Sequence, residues 1–126
     1  MTFEQQIKLN CGKLPNDRIR ITRLDQFDVT LVAKGVLFVF ATWSAVSVKS
    51  FRLLCQSIVH APEAKIQIIV MDTDKLEPHL VQQIIGEMPQ GKGEAYWIKN
   101  GQIVHKDHGY TNKTREILKS RIQEFA

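Results

Sequence analysis

The sequence predicts one α/β domain: a mixed, mainly parallel central sheet with helices on both faces, in the order β-α-β-α-β-α-β-β-α. Three observations carry that prediction. Val36 to Ala41 (VLFVFA) and Lys65 to Met71 (KIQIIVM) read as strands buried on both faces, because they are nearly continuous apolar runs rich in β-branched and aromatic residues. Ser44 to His60, between them, has helical period, and strands alternating with helices require parallel pairing through crossovers. Asn100-Gly101 separates two further strand-like segments, the strongest short hairpin signal there is, and adds an antiparallel pair.

The elements follow in order. Residues 1–17 carry the weakest pattern and end in the turn signal Leu14-Pro15-Asn16-Asp17, so they are expected to form an N-terminal arm or short element ahead of a domain spanning 18–126. Arg18 to Thr22 alternates polar and apolar residues, as a strand does. Asp25 is placed to cap a short helix over Gln26 to Ala33, closed by Lys34-Gly35. In the Ser44 to His60 helix, Phe51, Leu54, Cys55 and Ile58 form one core-facing stripe. Leu76 to Met88 is the next helix, with Pro78 tolerated in its first turn, and Pro89 to Gly93 is a loop. Glu94 to Lys99 and Gln102 to Lys106 are the hairpin strands. Thr114 to Phe125 closes the chain as an amphipathic helix with Ile117, Leu118, Ile122 and Phe125 on its apolar face.

Bulk properties narrow the function. The 126 residues suit one domain, and 44% hydrophobic with 24% charged residues is ordinary for a globular protein. No apolar run reaches the roughly 18 residues of a membrane span, and MTFEQQIKLN has no signal-peptide apolar core, so a cytoplasmic protein is expected. The two cysteines, Cys11 and Cys55, lack metal-ligand spacing. The net charge of +4 is spread over Arg18, Arg20, Arg23, Lys113, Arg115, Lys119 and Arg121 without interleaved aromatics, which disfavours nucleic acid as a partner.

Three segments carry a resemblance: Ala41-Thr42-Trp43-Ser44-Ala45-Val46-Ser47, Val70 to Asp74 at the end of a strand, and Tyr96-Trp97-Ile98-Lys99-Asn100-Gly101-Gln102-Ile103-Val104. Together with the element order they resemble the thioredoxin-like superfamily over residues 18–126. The first looks like that family's A-x-W-C-G-P-C segment and the last like its final hairpin. The resemblance implies a thioredoxin-like fold and a redox site at the start of the second helix. There, a thiolate gains acidity from the helix N-terminus and a second thiol resolves the mixed disulfide.

At those positions this chain departs from the family. Ser44 and Ser47 stand where the cysteines would be, and a hydroxyl has no disulfide chemistry. The family's buried acid would fall at Phe38, the lysine facing it near Val70, and the proline before the hairpin strand at about Gly93. Ala45-Val46 replaces Gly-Pro, and Arg52 takes the place of a helix-kinking proline. The degenerate positions Ser44 and Ser47 are therefore expected to cap the helix rather than catalyse. Trp43 with Ala45 and Val46 would form a small apolar patch, flanked by the Gly91, Lys92, Gly93, Glu94 loop, suited to protein docking. Cys55 falls on the apolar helix face and Cys11 in the less patterned arm, where it is expected to be more open. His105 and Asp107 would share a strand face, with His108 beyond, but a metal site needs a further convergent ligand.

The expected function is a non-catalytic thioredoxin-like protein that binds another protein, as a chaperone, assembly factor, subunit or toxin-immunity protein, without cofactor or metal. The alternative is a thiol-dependent redox protein using Cys55 or Cys11. A basic nucleic-acid binder ranks third.

Overall fold

The protein's structure, a computed structural model, describes residues 1–125. Four α-helices, α1 (Phe3–Asn10), α2 (Ala45–Val59), α3 (Pro78–Ile84) and α4 (Arg115–Phe125), surround five strands. The strands are β1 (Ile19–Ile21), β2 (Lys34–Phe40), β3 (Gln67–Asp72), β4 (Glu94–Lys99) and β5 (Gln102–Asp107), in the spatial order β1-β3-β2-β4-β5. β1, β3 and β2 run parallel; β4 pairs antiparallel with β2, and β5 with β4.

The two-residue period of each central strand divides the core. Val36, Phe38 and Phe40 of β2, Ile68 and Val70 of β3, and Ala95 and Trp97 of β4 face α1, α2 and α4. Leu37, Val39, Ile69, Met71, Tyr96 and Ile98 face the opposite side, under α3 and the segment that joins β1 to β2. That double burial is why these strands read as continuous apolar runs.

The N-terminal segment is more ordered than its sequence suggests. Thr2 and Gln5 form a reciprocal capping box at the start of α1. Ile7, Cys11 and Leu14 are buried in the core beside α2, so Cys11 is not exposed. The helix expected over Gln26 to Ala33 is replaced by two 3-10 turns, Leu24–Gln26 and Val29–Leu31. Asp28, not Asp25, makes the cap, accepting the Thr30 N–H at 3.0 Å, and β-branched Val29, Thr30 and Val32 further disfavour an α-helix. α3 is shorter than expected because Gly86, at φ +87°, turns its N–H back onto the Val81 carbonyl. In α4, Leu118, Ile122 and Phe125 are buried while Ile117 lies outside the core. The irregularity at Trp97/Ile98 in the β4–β5 register is a bulge; it leaves His105 and Asp107 on the α4 side while Ile103 packs under α3.

No helix among the described residues is long and apolar enough to cross a membrane.

Candidate functional site

β2 delivers the chain to the start of α2 through Ala41-Thr42-Trp43. Ser44 is the helix cap: its backbone is extended and its Oγ accepts the Ser47 N–H at 3.3 Å. Ser47 is fully buried, and its Oγ accepts the Ala41 N–H at 2.9 Å, tying the end of β2 to the first turn of α2. Both serine oxygens thus bind backbone N–H groups. A serine nucleophile needs a general base that takes its proton, and neither serine has a histidine or carboxylate partner among the described residues.

One turn further, Ser50 is also fully buried and acts as a junction. Its Oγ donates to the Gly93 carbonyl at 3.3 Å and accepts the Tyr110 N–H at 3.0 Å. It thereby joins α2, the loop before β4 and the segment after β5. Gly93, at φ +69°, lies so close that a Cβ there would fall 2.6 Å from Ser50 Cβ. No side chain but hydrogen fits.

The loop itself is held by Glu94. Its carboxylate turns back to accept the Gln90 N–H at 2.6 Å and the Lys92 N–H at 3.0 Å. Gly91 is buried beneath the Trp43 indole, and a Cβ on Gly91 would lie 2.4 Å from Trp43 Cη2. The indole Nε1–H donates to Asp74 Oδ1 at 3.0 Å, and Asp74 is set by its own N–H on Asp72 Oδ1. Thus fixed on one face and one edge, Trp43 is still 62% exposed, and Val46 beside it 52%. Of the loop and helix positions singled out by sequence, Trp43, Ala45, Val46 and Lys92 are exposed together, while Gly91, Gly93 and Glu94 are buried and give the surface its shape.

Beneath the site the core is apolar at the positions where the resemblance expects charge. Phe38 is fully buried, its ring 5.2 Å from Phe51 and 6.1 Å from Phe40 by centroid, and Val70 is fully buried as well. No peptide bond among the described residues is cis.

The cysteines are elsewhere. Cys11 and Cys55 are both buried and free, and burial, with the neighbouring Cys11, pushes the Cys55 thiol far up. A thiol so placed is a small hydrophobe rather than a nucleophile.

The polar residues after the hairpin serve α4. Asp107 receives two 3.0 Å hydrogen bonds from Arg121 and one of 2.7 Å from the Tyr110 hydroxyl, which accepts the Trp97 Nε1–H at 2.9 Å. Burial raises the Asp107 carboxyl, but the hydrogen bonds from Arg121 and Tyr110 outweigh it and hold it below its ordinary value. His105 Nε2 lies 2.7 Å from Glu124 Oε2. Among the described residues no three His, Cys, Asp or Glu side chains converge to hold a metal ion.

Ser50, Asp74 and Tyr110 were not visible from the sequence as parts of this site. The spacing of Ser44, Ser47 and Ser50, one per turn on one helix face, was the available signal for the first.

No family model matches the sequence, and no curated protein matches it. Solved structures do. A chain from the structural study of thiol resolution in yeast mitochondrial 1-Cys peroxiredoxin via the glutathione/thioredoxin systems is 21% identical, with TM-score 0.66, over 84% of this chain and 94% of that one. Thioredoxin (Mala s 13) of Malassezia sympodialis is 17% identical, with TM-score 0.65, over 86% of this chain and 91% of that one. Reduced desulfothioredoxin of Desulfovibrio vulgaris Hildenborough is 15% identical, with TM-score 0.61, over 84% and 95%. The chain has a thioredoxin-like fold, and it carries serine at positions 44 and 47, where the resemblance expects cysteine.

Proposed function

We propose that the protein works by binding another protein through the surface formed by Trp43, Ala45, Val46 and Lys92, with no redox chemistry at Ser44 and Ser47. The observation that carries this reading is the presentation of Trp43. Its ring rests on Gly91 and its N–H is held by Asp74, yet most of its surface faces solvent. An aromatic side chain fixed in advance and left open costs little further entropy on contact, the property that makes Trp a frequent anchor of protein interfaces. The hydroxyls at 44 and 47 support the second half, since each is engaged in building the strand-to-helix turn. Two free, buried cysteines fit a reducing compartment, and we place the protein in the cytoplasm.

The test is affinity capture from native lysate with the wild type and with Trp43→Ala/Val46→Asp, after circular dichroism has shown both to be folded. Bait-specific proteins held by the wild type are expected to be lost by the double variant. Equal recovery by the two baits would move the interface elsewhere.

A further inference from the structure

Beside the Trp43 surface runs a groove of about 410 Å³ between α2 and the turn that follows β5. Its lining is Lys49, Arg52, Leu53, Tyr110, Thr111 and Asn112. The groove is continuous with the lip. Lys49 lies one turn beyond Val46 on α2, and a Cβ built on Gly109 would sit 3.6 Å from Val46 Cγ1 and 3.4 Å from the Lys92 carbonyl, so the chain entering the turn passes close beside both.

The charges along this path share one sign. Lys92, Lys49 and Arg52 border it and Lys113 follows at the end of the turn. Among the described residues none of the four takes part in an ion pair. The two carboxylates of the neighbouring backbone are already engaged: Glu94 accepts the Gln90 and Lys92 N–H groups, and Asp107 is bound by Arg121 and Tyr110. Arg52 Nε donates to the Asn10 side-chain carbonyl at 2.7 Å, a neutral partner that leaves its charge uncompensated. Cations without a carboxylate partner around a floor supplied by Leu53 and Tyr110 are complementary to carboxylates spaced along a chain that also carries apolar side chains.

We infer that this groove and the adjoining lip receive an acidic, apolar-containing segment of a partner protein, whose carboxylates meet Lys49, Arg52 and Lys92 and whose apolar side chain rests on Leu53 and Tyr110. The inference rests on the docking role proposed above and names the chemistry of its partner. Nucleic acid would use the same cations, but the aliphatic surface of Val46 and Leu53 between them matches side chains better than a sugar-phosphate backbone.

The probe is a displayed random-peptide library panned against the folded protein. Selected peptides are resynthesised and titrated by fluorescence anisotropy against the wild type, Lys49→Glu/Lys92→Glu, the milder Lys49→Gln/Lys92→Gln, and Trp43→Ala/Val46→Asp. The selected peptides are expected to be enriched in Asp and Glu around an apolar residue, and to weaken with added salt. They should bind about tenfold or more less tightly to the charge-reversed variant, with an intermediate loss for the Gln pair. No acidic enrichment, unchanged affinity on charge reversal, or tighter binding of a mixed-sequence single-stranded DNA would each overturn the inference. Loss of acidic peptides on charge reversal with no change on Trp43→Ala/Val46→Asp would support the groove and sink the lip. Loss on the second variant alone would support the lip and sink the acidic partner.

Discussion

Gly93 and Ser50 are in contact so close that no β-carbon fits between them: one built on Gly93 would lie 2.6 Å from Ser50 Cβ and 3.3 Å from Ser47 Cα. The loop before β4 therefore packs on α2 backbone to helix, at the place where the resemblance expects a proline. Gly93→Ala would meet this overlap as well as the strain of φ +69° and is expected to cost about 2–3 kcal/mol in urea unfolding. Gly12→Ala is the control: φ is +62° but nothing lies within 4 Å of its Cβ, so about 1 kcal/mol is expected. Equal losses at the two sites would show that packing against Ser50 adds nothing.

Asp107 links β5 to α4 through Arg121 and to the core through Tyr110 and Trp97. Its carboxyl is held below its ordinary value, so the folded state favours the charged form. That contribution is present above the unfolded pKa, about 3.9, and is lost as pH falls through the lower folded value. Asp107→Asn is expected to lose about 2 kcal/mol at pH 7, since it leaves the Arg121 guanidinium without its countercharge. The variant should also lose less further stability than the wild type on acidification below about pH 4. Parallel stability curves for the two proteins in that range would assign the acid sensitivity to other carboxylates.

Both thiols should be inert in the folded state. Cys11 and Cys55 are buried, and the Cys55 thiol is shifted away from thiolate formation by burial. Labelling with an aromatic disulfide at neutral pH is expected to be at least about 100-fold slower than in denaturant. One fast thiol in the native protein would revive a redox role for it.

Introducing two cysteines at positions 44 and 47 should not create an enzyme. In Ser44→Cys/Ser47→Cys the thiols would regain the helix N-terminus, but the apolar Phe38–Phe40–Phe51 cluster beneath them offers no group to accept or supply a proton. Disulfide-reductase turnover is expected to stay about 100-fold or more below that of a thioredoxin assayed alongside. Comparable turnover would show that the missing acid, lysine and proline matter little on this scaffold.

The parts of the fold governed by period were legible in the sequence. The runs at 36–41 and 65–71 announce strands covered on both faces, the stripe of Phe51, Leu54, Cys55 and Ile58 announces α2, and Asn100-Gly101 announces the hairpin. The parts governed by single side chains binding backbone were not. Whether Asp25 or Asp28 closes a turn is decided by local hydrogen bonding, and the Thr2–Gln5 capping box opens a helix with too few apolar residues to display a period. At the site, the serines, Trp43 and the loop could be picked out by position. That Gly91, Gly93 and Glu94 would be buried, and that Ser50 and Tyr110 would fasten the loop, depends on contacts 43 and 60 residues apart along the chain.

The Glu94 carboxylate also limits how a partner can approach the loop. By accepting the N–H groups of Gln90 and Lys92, it removes main-chain donors from the loop that borders the Trp43 surface. A visiting polypeptide cannot pair with those amides as an added strand, the mode in which backbone supplies affinity whatever the sequence. Recognition at this edge falls to the side chains of Trp43, Val46 and Lys92, so partner choice there can change one residue at a time while the loop keeps its conformation.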